Sequence, residues 1–318
     1  MNIRARKGGC LLKLLFFVGL LVLLFGGAAR LIAAGGAKSL DAGDKLLGGG
    51  GRGDCTVAGQ PYGTGASQQL DIWAPPGTAH DAMLPVVIFF YGGGWHSGSR
   101  ADYGFAGRAF AGAGFITVIP DYRQTPKGRW PDFLEDSAAA VAWVRANVTS
   151  HGGDPDRIAL VGHSAGGYNA AMLALDGKWL RGVGSDPSVI RGVATLAAPL
   201  DFLPLEKGGS ADRAMGHVRP AQSTQPIRFA RGDAPPLWLA TGSDDTTVRP
   251  HNSRNLHAAI IAAGGQADFK NYPGMGHRAI AMALAQPFRA RSTVFDDVSD
   301  FLRGVTARRV TAPRLAAE

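Results

Sequence analysis

Cysteine is almost missing from this chain. There are two in 318 residues, Cys10 and Cys55, and no C-x-x-C pair. That excludes a disulfide framework and a thiolate metal site. The eight histidines show no ligand spacing with acids or thiols, so no metal and no organic cofactor is expected. Charge is scarce as well. Only 18% of residues are charged and 46% are apolar, a globular composition long enough for one sizeable core. Acidic residues are absent from the first 38 positions, which hold six Lys or Arg. The remaining positions carry 27 basic and 25 acidic side chains, so the formal charge of +8 belongs mainly to the N-terminus. No nucleic-acid partner is therefore expected. An uncharged apolar run of bilayer-spanning length is also missing. The N-terminal run, residues 14–29, has sixteen residues, against the roughly 20 that cross a membrane as a helix.

That run still reads as membrane-directed. Arg4, Arg6, Lys7 and Lys13 precede it and Arg30 follows it. Lys13 and Arg30 can snorkel and extend the span, and the run is slightly long for a signal-peptide core of about 7 to 15 residues. Positive charge stays cytoplasmic. The expectation is a basic cytoplasmic leader over residues 1–13 and a transmembrane anchor or signal segment over 14–34. In a bacterium this places a single-pass protein in the inner membrane, with the remainder on the periplasmic or extracellular side. Cleavage at the small residues 27–29 or 35–37 would secrete it. Cys10 and Cys55 then lie on opposite sides and are not expected to pair. No apolar run precedes Cys10, so it is not read as a lipidation site. Residues 35–56 are Gly-rich, with Gly48, Gly49, Gly50 and Gly51 in a row, and read as a flexible tether.

Beyond residue 57 the pattern alternates. Residues 68–73 read as a half-buried strand, and 84–91 form a continuous apolar run suited to a strand covered on both faces. Helix patterns over 103–113, 132–148, 165–175 and 254–263 interleave with strand patterns over 115–120, 158–161, 191–197, 237–241 and 267–272. Helical material over 280–284 and 294–302 closes the domain. Such alternation predicts an α/β domain over residues 57–302, its central sheet mostly parallel and covered by helices on both faces. Residues 202–234 show no strong period and read as a small cover segment, because long loops in compact domains are usually functional. The basic tail, 303–318, reads as peripheral.

Chemistry in parallel sheets sits at the carboxyl ends of strands, and the candidates fall there. Gly162-His163-Ser164-Ala165-Gly166 follows one strand and opens a helix. A strand that turns at once into a helix crowds the positions on either side of the turn, which explains the two glycines. It leaves Ser164 exposed on a strained turn with helix N–H groups beside it. Gly92-Gly93-Gly94-Trp95 follows another strand, and its consecutive N–H groups would make half an oxyanion hole. A serine needs a base, and the base needs a carboxylate to fix its tautomer. After Ser164 the histidines are His217, His251, His257 and His277. His277 follows the last strand in a loop with two glycines, Gly274 and Gly276, and is the candidate base. Asp244 and Asp245 compete for the acid, with Asp201 a third possibility.

These motifs together resemble α/β-hydrolases of the carboxylesterase branch that holds the hormone-sensitive-lipase-like and bacterial feruloyl-esterase-like enzymes. The resemblance covers roughly residues 68–302. It rests on Tyr91-Gly92-Gly93-Gly94-Trp95, Asp121-Tyr122-Arg123 with Pro131, Glu135 and Asp136, the Ser164 motif with Gly167, the stretch 242–248 and the loop 273–277. It implies the α/β-hydrolase fold, a Ser164–Asp245–His277 triad with Asp245 as the acid, and oxyanion donors at Gly93, Gly94 and Ala165. Arg123 and Asp136 fall on structural positions of the family. Tyr91 stands where the family has His, which bears on pocket shape rather than on the oxyanion. The implied activity is hydrolysis of short-chain or aryl carboxylic esters through an acyl-enzyme, on a small-molecule substrate. Alternatives are an aryl-formamidase or small amidase, an esterase acting on polysaccharide-bound acyl groups, and a catalytically silent binding protein of the same fold.

Overall fold

A computed structural model describes residues 35–308. The expected leader (1–13) and membrane segment (14–34) lie outside the described residues, as does the tail past 308. Among the described residues no helix is long and apolar enough to cross a membrane.

The chain enters as α1 (Gly36–Asp44), continues through a wide turn over Lys45–Gly49, and reaches β1 (Asp54–Pro61) and β2 (Gln69–Ala74). Then follow β3 (Leu84–Phe90), α2 (Gly104–Gly112), β4 (Ile116–Pro120), α3 (Asp132–Asn147), β5 (Gly153–His163) and α4 (Ala165–Leu175). After a short α5 (Lys178–Gly182) come β6 (Ile190–Leu196), α6 (Ser210–Met215), β7 (Leu237–Gly242), α7 (His251–Ala262) and β8 (Ala267–Tyr272). The chain closes with α8 (His277–Met282), α9 (Gln286–Arg289) and α10 (Val294–Val305).

All eight strands join one sheet in the order β1-β2-β4-β3-β5-β6-β7-β8. The pairs β1/β2 and β2/β4 are antiparallel and the rest parallel. The two apolar runs become its centre: Val86 to Phe90 of β3 pair with Ile158 to Gly162 of β5, in register. Their large side chains are fully buried, each worth about 1.5–3 kcal/mol. Helices cover both faces. On one, Phe110 of α2 meets Phe295 of α10. On the other, Phe133 of α3 meets Tyr168 of α4, and Leu256 and Ile260 of α7 pack with Ala171 and Leu175.

Three expectations need correction. Residues 35–56 are not a tether: they hold α1, the wide turn and the start of β1. What orders α1 lies 64 to 67 positions downstream. Arg108 of α2 donates from Nε to Asp44 at 2.7 Å and from Nη2 to Asp41 at 2.6 Å. All three side chains are buried, and the other Asp44 oxygen accepts the Gln286 N–H at 2.6 Å. β2 is not half-buried either. Asp71 is taken into the interior because Arg100 pairs with it at 2.8 Å and the Gly59 N–H donates to it at 2.8 Å. Finally, the domain does not stop at 302. α10 runs to Val305, whose side chain fills the space beside Gly192.

The Asp41–Arg108–Asp44 cluster makes the first prediction. Arg108→Met leaves two buried carboxylates without their shared cation, which should cost about 3–5 kcal/mol. Denaturant unfolding should show that loss, and a protease should begin to cut within residues 45–52. Unchanged stability and protection would mean that apolar contacts alone hold α1.

Candidate active site

The site is built on the turn between β5 and α4. Ser164 sits at φ 52° and ψ −122°, a conformation that side chains other than glycine avoid. The turn is tight enough that a Cβ on Gly162 would come 2.3 Å from the Gly166 carbonyl oxygen, and one on Gly166 would come 2.1 Å from that of Phe90. The two glycines of the motif are thus steric requirements. The Ser164 N–H donates to Leu196 of β6 at 2.9 Å, and its carbonyl accepts the Tyr168 N–H at 3.1 Å.

The loops after β7 and β8 converge on this hydroxyl. His277 Nε2 lies 2.9 Å from Ser164 Oγ, and His277 Nδ1 lies 2.8 Å from Asp245 Oδ2. In the tautomer this implies, Ser164 donates to Nε2 and the Nδ1–H donates to Asp245. The second Asp245 oxygen accepts the N–H groups of Thr247 and Val248 at 2.9 and 2.8 Å, and the residue is 3% exposed. The carboxylate is therefore fixed on both oxygens. The competing acids lie elsewhere. Asp244 is exposed and accepts the Ser243 hydroxyl at 2.7 Å, and Asp201 accepts Asn255 Nδ2 at 2.7 Å. Of the other candidate bases, His217 bonds the Trp130 carbonyl, His251 the Asp201 carbonyl, and His257 lies against Phe269.

Gly93, Gly94 and Ala165 line the same pocket as Ser164 and His277. Ala165 is the first residue of α4, so its N–H has no intrahelical acceptor and carries the positive end of the helix dipole. Gly93, Gly94 and Trp95 all have positive φ, at 128°, 58° and 59°. Trp95 holds that loop down. Its indole N–H donates to Asn169 at 3.2 Å, and its ring stacks on Phe133. Tyr91 departs from the family without altering the pocket wall. It is buried beneath the loop between Tyr103 and Tyr122, with its hydroxyl donating to Asp121 at 2.9 Å. Arg123 and Asp136 clasp at 2.9 Å, and Asp136 also accepts the Arg123 N–H at 2.8 Å, a structural tie.

One residue carries a role that its place in the motif did not reveal. His163 donates from Nε2 to the His277 backbone carbonyl at 3.1 Å, tying the base's own loop to the nucleophile turn. Its Nδ1 is buried without a partner. Burial, and secondarily His277, push its pKa down to about 3, so it stays neutral and adds no charge beside the base. The only hint in the sequence was a second imidazole next to Ser164; the crossing of the His277 loop at that point is tertiary.

The pocket has a volume of about 620 Å³. Trp95, Phe202, Leu205 and Val248 supply apolar surface, and His96, Glu206 and Arg278 supply polar groups. The start of the expected cover segment contributes Phe202, Pro204, Leu205, Glu206, Gly209, Ser210 and Ala211 to its lining. Among the described residues no cluster of three His, Cys, Asp or Glu is placed to hold a metal ion.

The BD-FAE family model matches residues 70–260. Esterase LipQ of Mycobacterium tuberculosis is 32% identical over 270 residues, covering 79% of this chain and 63% of LipQ. Carboxylesterase NlhH of the same species is 32% identical over 232 residues, covering 66% of this chain and 71% of NlhH. The chain thus spans less than two thirds of LipQ's length. Among solved structures, a truncated carbohydrate esterase from gut microbiota superposes with a TM-score of 0.68 at 22% identity, over 79% of this chain and 96% of that one. That likeness is one of fold.

Two predictions follow from the hydrogen bonds. Asp245→Asn removes the acceptor that fixes the His277 tautomer and should lower kcat at least about a hundredfold, since the equivalent change in another serine hydrolase cost about 10⁴. Asp244→Asn and Asp201→Asn should stay near parental on the same short-chain aryl ester. A crippled Asp244 variant beside an active Asp245 variant would move the acid. The second concerns pH. The folded value of His163, about 3, lies below the unfolded value near 6.5. The unfolded chain therefore binds the extra proton within that window, and stability is lost as pH falls through it, by up to ~1.4 kcal/mol per pH unit. His163→Gln keeps an N–H for the His277 carbonyl and removes the proton. Denaturant unfolding at pH 4, 5 and 6 should give a shallower slope for the variant. Equal slopes would show that His163 titrates normally.

Proposed function

The chain belongs to the BD-FAE family of α/β-hydrolases, and we propose that it is a serine carboxylesterase acting on short-chain or aryl carboxylic esters. One observation carries the reading: Ser164, His277 and Asp245 form a continuous hydrogen-bonded relay at 2.9 and 2.8 Å, at the wall of a pocket of small-molecule size. Relatives named as an esterase and a carboxylesterase support it.

In the proposed cycle His277 takes the Ser164 proton as Oγ attacks the ester carbonyl carbon. The carbonyl oxygen becomes an oxyanion facing the N–H groups of Gly93, Gly94 and Ala165. Asp245, buried and doubly hydrogen-bonded, stabilises the imidazolium without taking its proton. The C–O bond then breaks, His277 protonates the leaving alcohol, and the acyl group remains on Ser164. A water molecule, deprotonated by His277, attacks the acyl carbonyl. The collapse of that second intermediate returns the proton to Ser164 and releases the acid. The same machinery would cleave an activated amide, so a formylated aniline is the comparison substrate.

The test is turnover of aryl esters from acetyl to decanoyl, alongside formyl and acetyl anilides, by the parent and by Ser164→Ala. Short acyl esters should be the best substrates by kcat/KM, and the variant should lose at least about a thousandfold while its circular dichroism is unchanged. Retention of activity within tenfold would remove Ser164 as nucleophile. Faster turnover of the formanilide than of any ester would move the reading to an amidase.

A further inference from the structure

We propose that the turn after α1 lies on a lipid bilayer and that the active-site pocket receives esters dissolved in that bilayer. The proposal rests on the esterase reading and on the membrane-directed run at residues 14–29. Among the described residues the exposed large apolar side chains are Leu46, Leu47, Val183 and Ile261. Single exposed leucines are ordinary, so position has to decide. Leu46 and Leu47 are adjacent, 84% and 39% exposed, and sit at the tip of the wide turn. In sequence they follow the apolar run, with residues 30–35 and α1 between. The nine-residue α1 between is about 13 Å long. Its buried clamp to Arg108 fixes its direction on the domain. An anchor in the preceding residues therefore keeps the turn close to the membrane surface.

The charge around these leucines suits an anionic bilayer. Lys38 on α1 and Arg52 just past the turn are exposed, and Lys45 is exposed while pairing with Asp41 at 3.0 Å. The acids of α1, Asp41 and Asp44, are buried against Arg108. α9 adjoins the turn: Gln286 Cγ lies 3.7 Å from where a Cβ on Gly48 would be, and its N–H bonds Asp44. It brings Arg289, partly buried over Phe295 yet near enough to Arg52 for the two charges to repel, and just past its end comes the exposed Arg291 over Phe288. Asp296 is the acid that reaches Arg289 from α10. Two leucines within a basic rim match an interfacial contact, where apolar insertion and attraction to anionic lipids add.

The other end of α1 reaches the active site. Gly36, Ala37 and Leu40 line a narrow cavity of about 50 Å³ together with Tyr103, His163 and Arg278. Those last three also line the active-site pocket. α1, whose far end at Asp44 leads into the Leu46 turn, thus begins at the pocket wall. A hydrophobic ester held in the bilayer would meet the pocket without crossing bulk water, which names the substrate class: esters with a lipid-dissolved acyl or alcohol chain.

The experiment uses the full chain reconstituted in phosphatidylcholine vesicles containing phosphatidylglycerol. Spin labels are placed by Leu46→Cys, Leu47→Cys and, as a control on α7, Ile261→Cys, each with Cys10→Ser and Cys55→Ser. Labels at 46 and 47 should be more accessible to oxygen than to a water-soluble nickel chelate, and the label at 261 should show the reverse. In parallel, the Leu46→Asp, Leu47→Asp double variant should lose at least about fivefold in turnover of a vesicle-dissolved ester while hydrolysing a soluble acetyl ester like the parent. Nickel accessibility at 46 and 47 equal to that at 261 overturns the contact. Equal loss on both esters, or on neither, overturns the supply of substrate from the bilayer. A parent that cleaves neither ester overturns the esterase reading and the substrate class with it, while the labels still decide the contact.

Discussion

The backbone of Ser164 is held where few residues can be held, and the site depends on that constraint. A serine at φ 52° and ψ −122° carries strain of about 1–3 kcal/mol. Two buried strands supply the resistance. β5 cannot relax outward because β3 and β6 flank it with parallel pairing, and α4 starts so close to it that Gly162 and Gly166 leave no room for a Cβ. The strain is small beside the burial of the β3 and β5 side chains. The hydroxyl is thereby aimed away from the core, at the carboxyl end of the sheet.

The remaining parts arrive from neighbouring strand ends. β3 delivers the glycine loop, β7 delivers Asp245, and β8 delivers the His277 loop. Each is immobilised by something other than the reacting atoms. Trp95 is tied to Asn169, Asp245 to two backbone N–H groups, and the His277 carbonyl to His163. Loops that carry chemistry on a rigid scaffold need such ties, because a small displacement at the reacting centre lowers the rate steeply. His163 does this from a buried site as a neutral donor, so the tie adds no charge beside the base.

How much could be read beforehand follows from where the information lies. The nucleophile turn was legible because sterics confine it to a few consecutive residues, and the central strands because burial on both faces leaves continuous apolar runs. The acid was not legible from residues alone. Asp244 and Asp245 differ only in which one turns inward to meet the Thr247 and Val248 N–H groups, and it was the family resemblance that pointed to Asp245. β1 escaped because it is a largely exposed edge strand with Gly59 and Pro61 in it and irregular pairing with β2, so it lacks the alternation that marks a strand. α1 escaped for a different reason. Its glycines argue for flexibility, and the buried guanidinium that orders it comes from α2; tertiary contact overrode local propensity.

The central claim is that Ser164 carries an acyl group during turnover, and the direct measurement is rapid-mixing kinetics with intact-mass analysis on an ester whose acyl group leaves slowly. The account predicts a burst of released alcohol close to one equivalent per chain. One acyl group should be found on the peptide containing Ser164. Linear release from the first turnover, with no acylated Ser164 at any time, would contradict it.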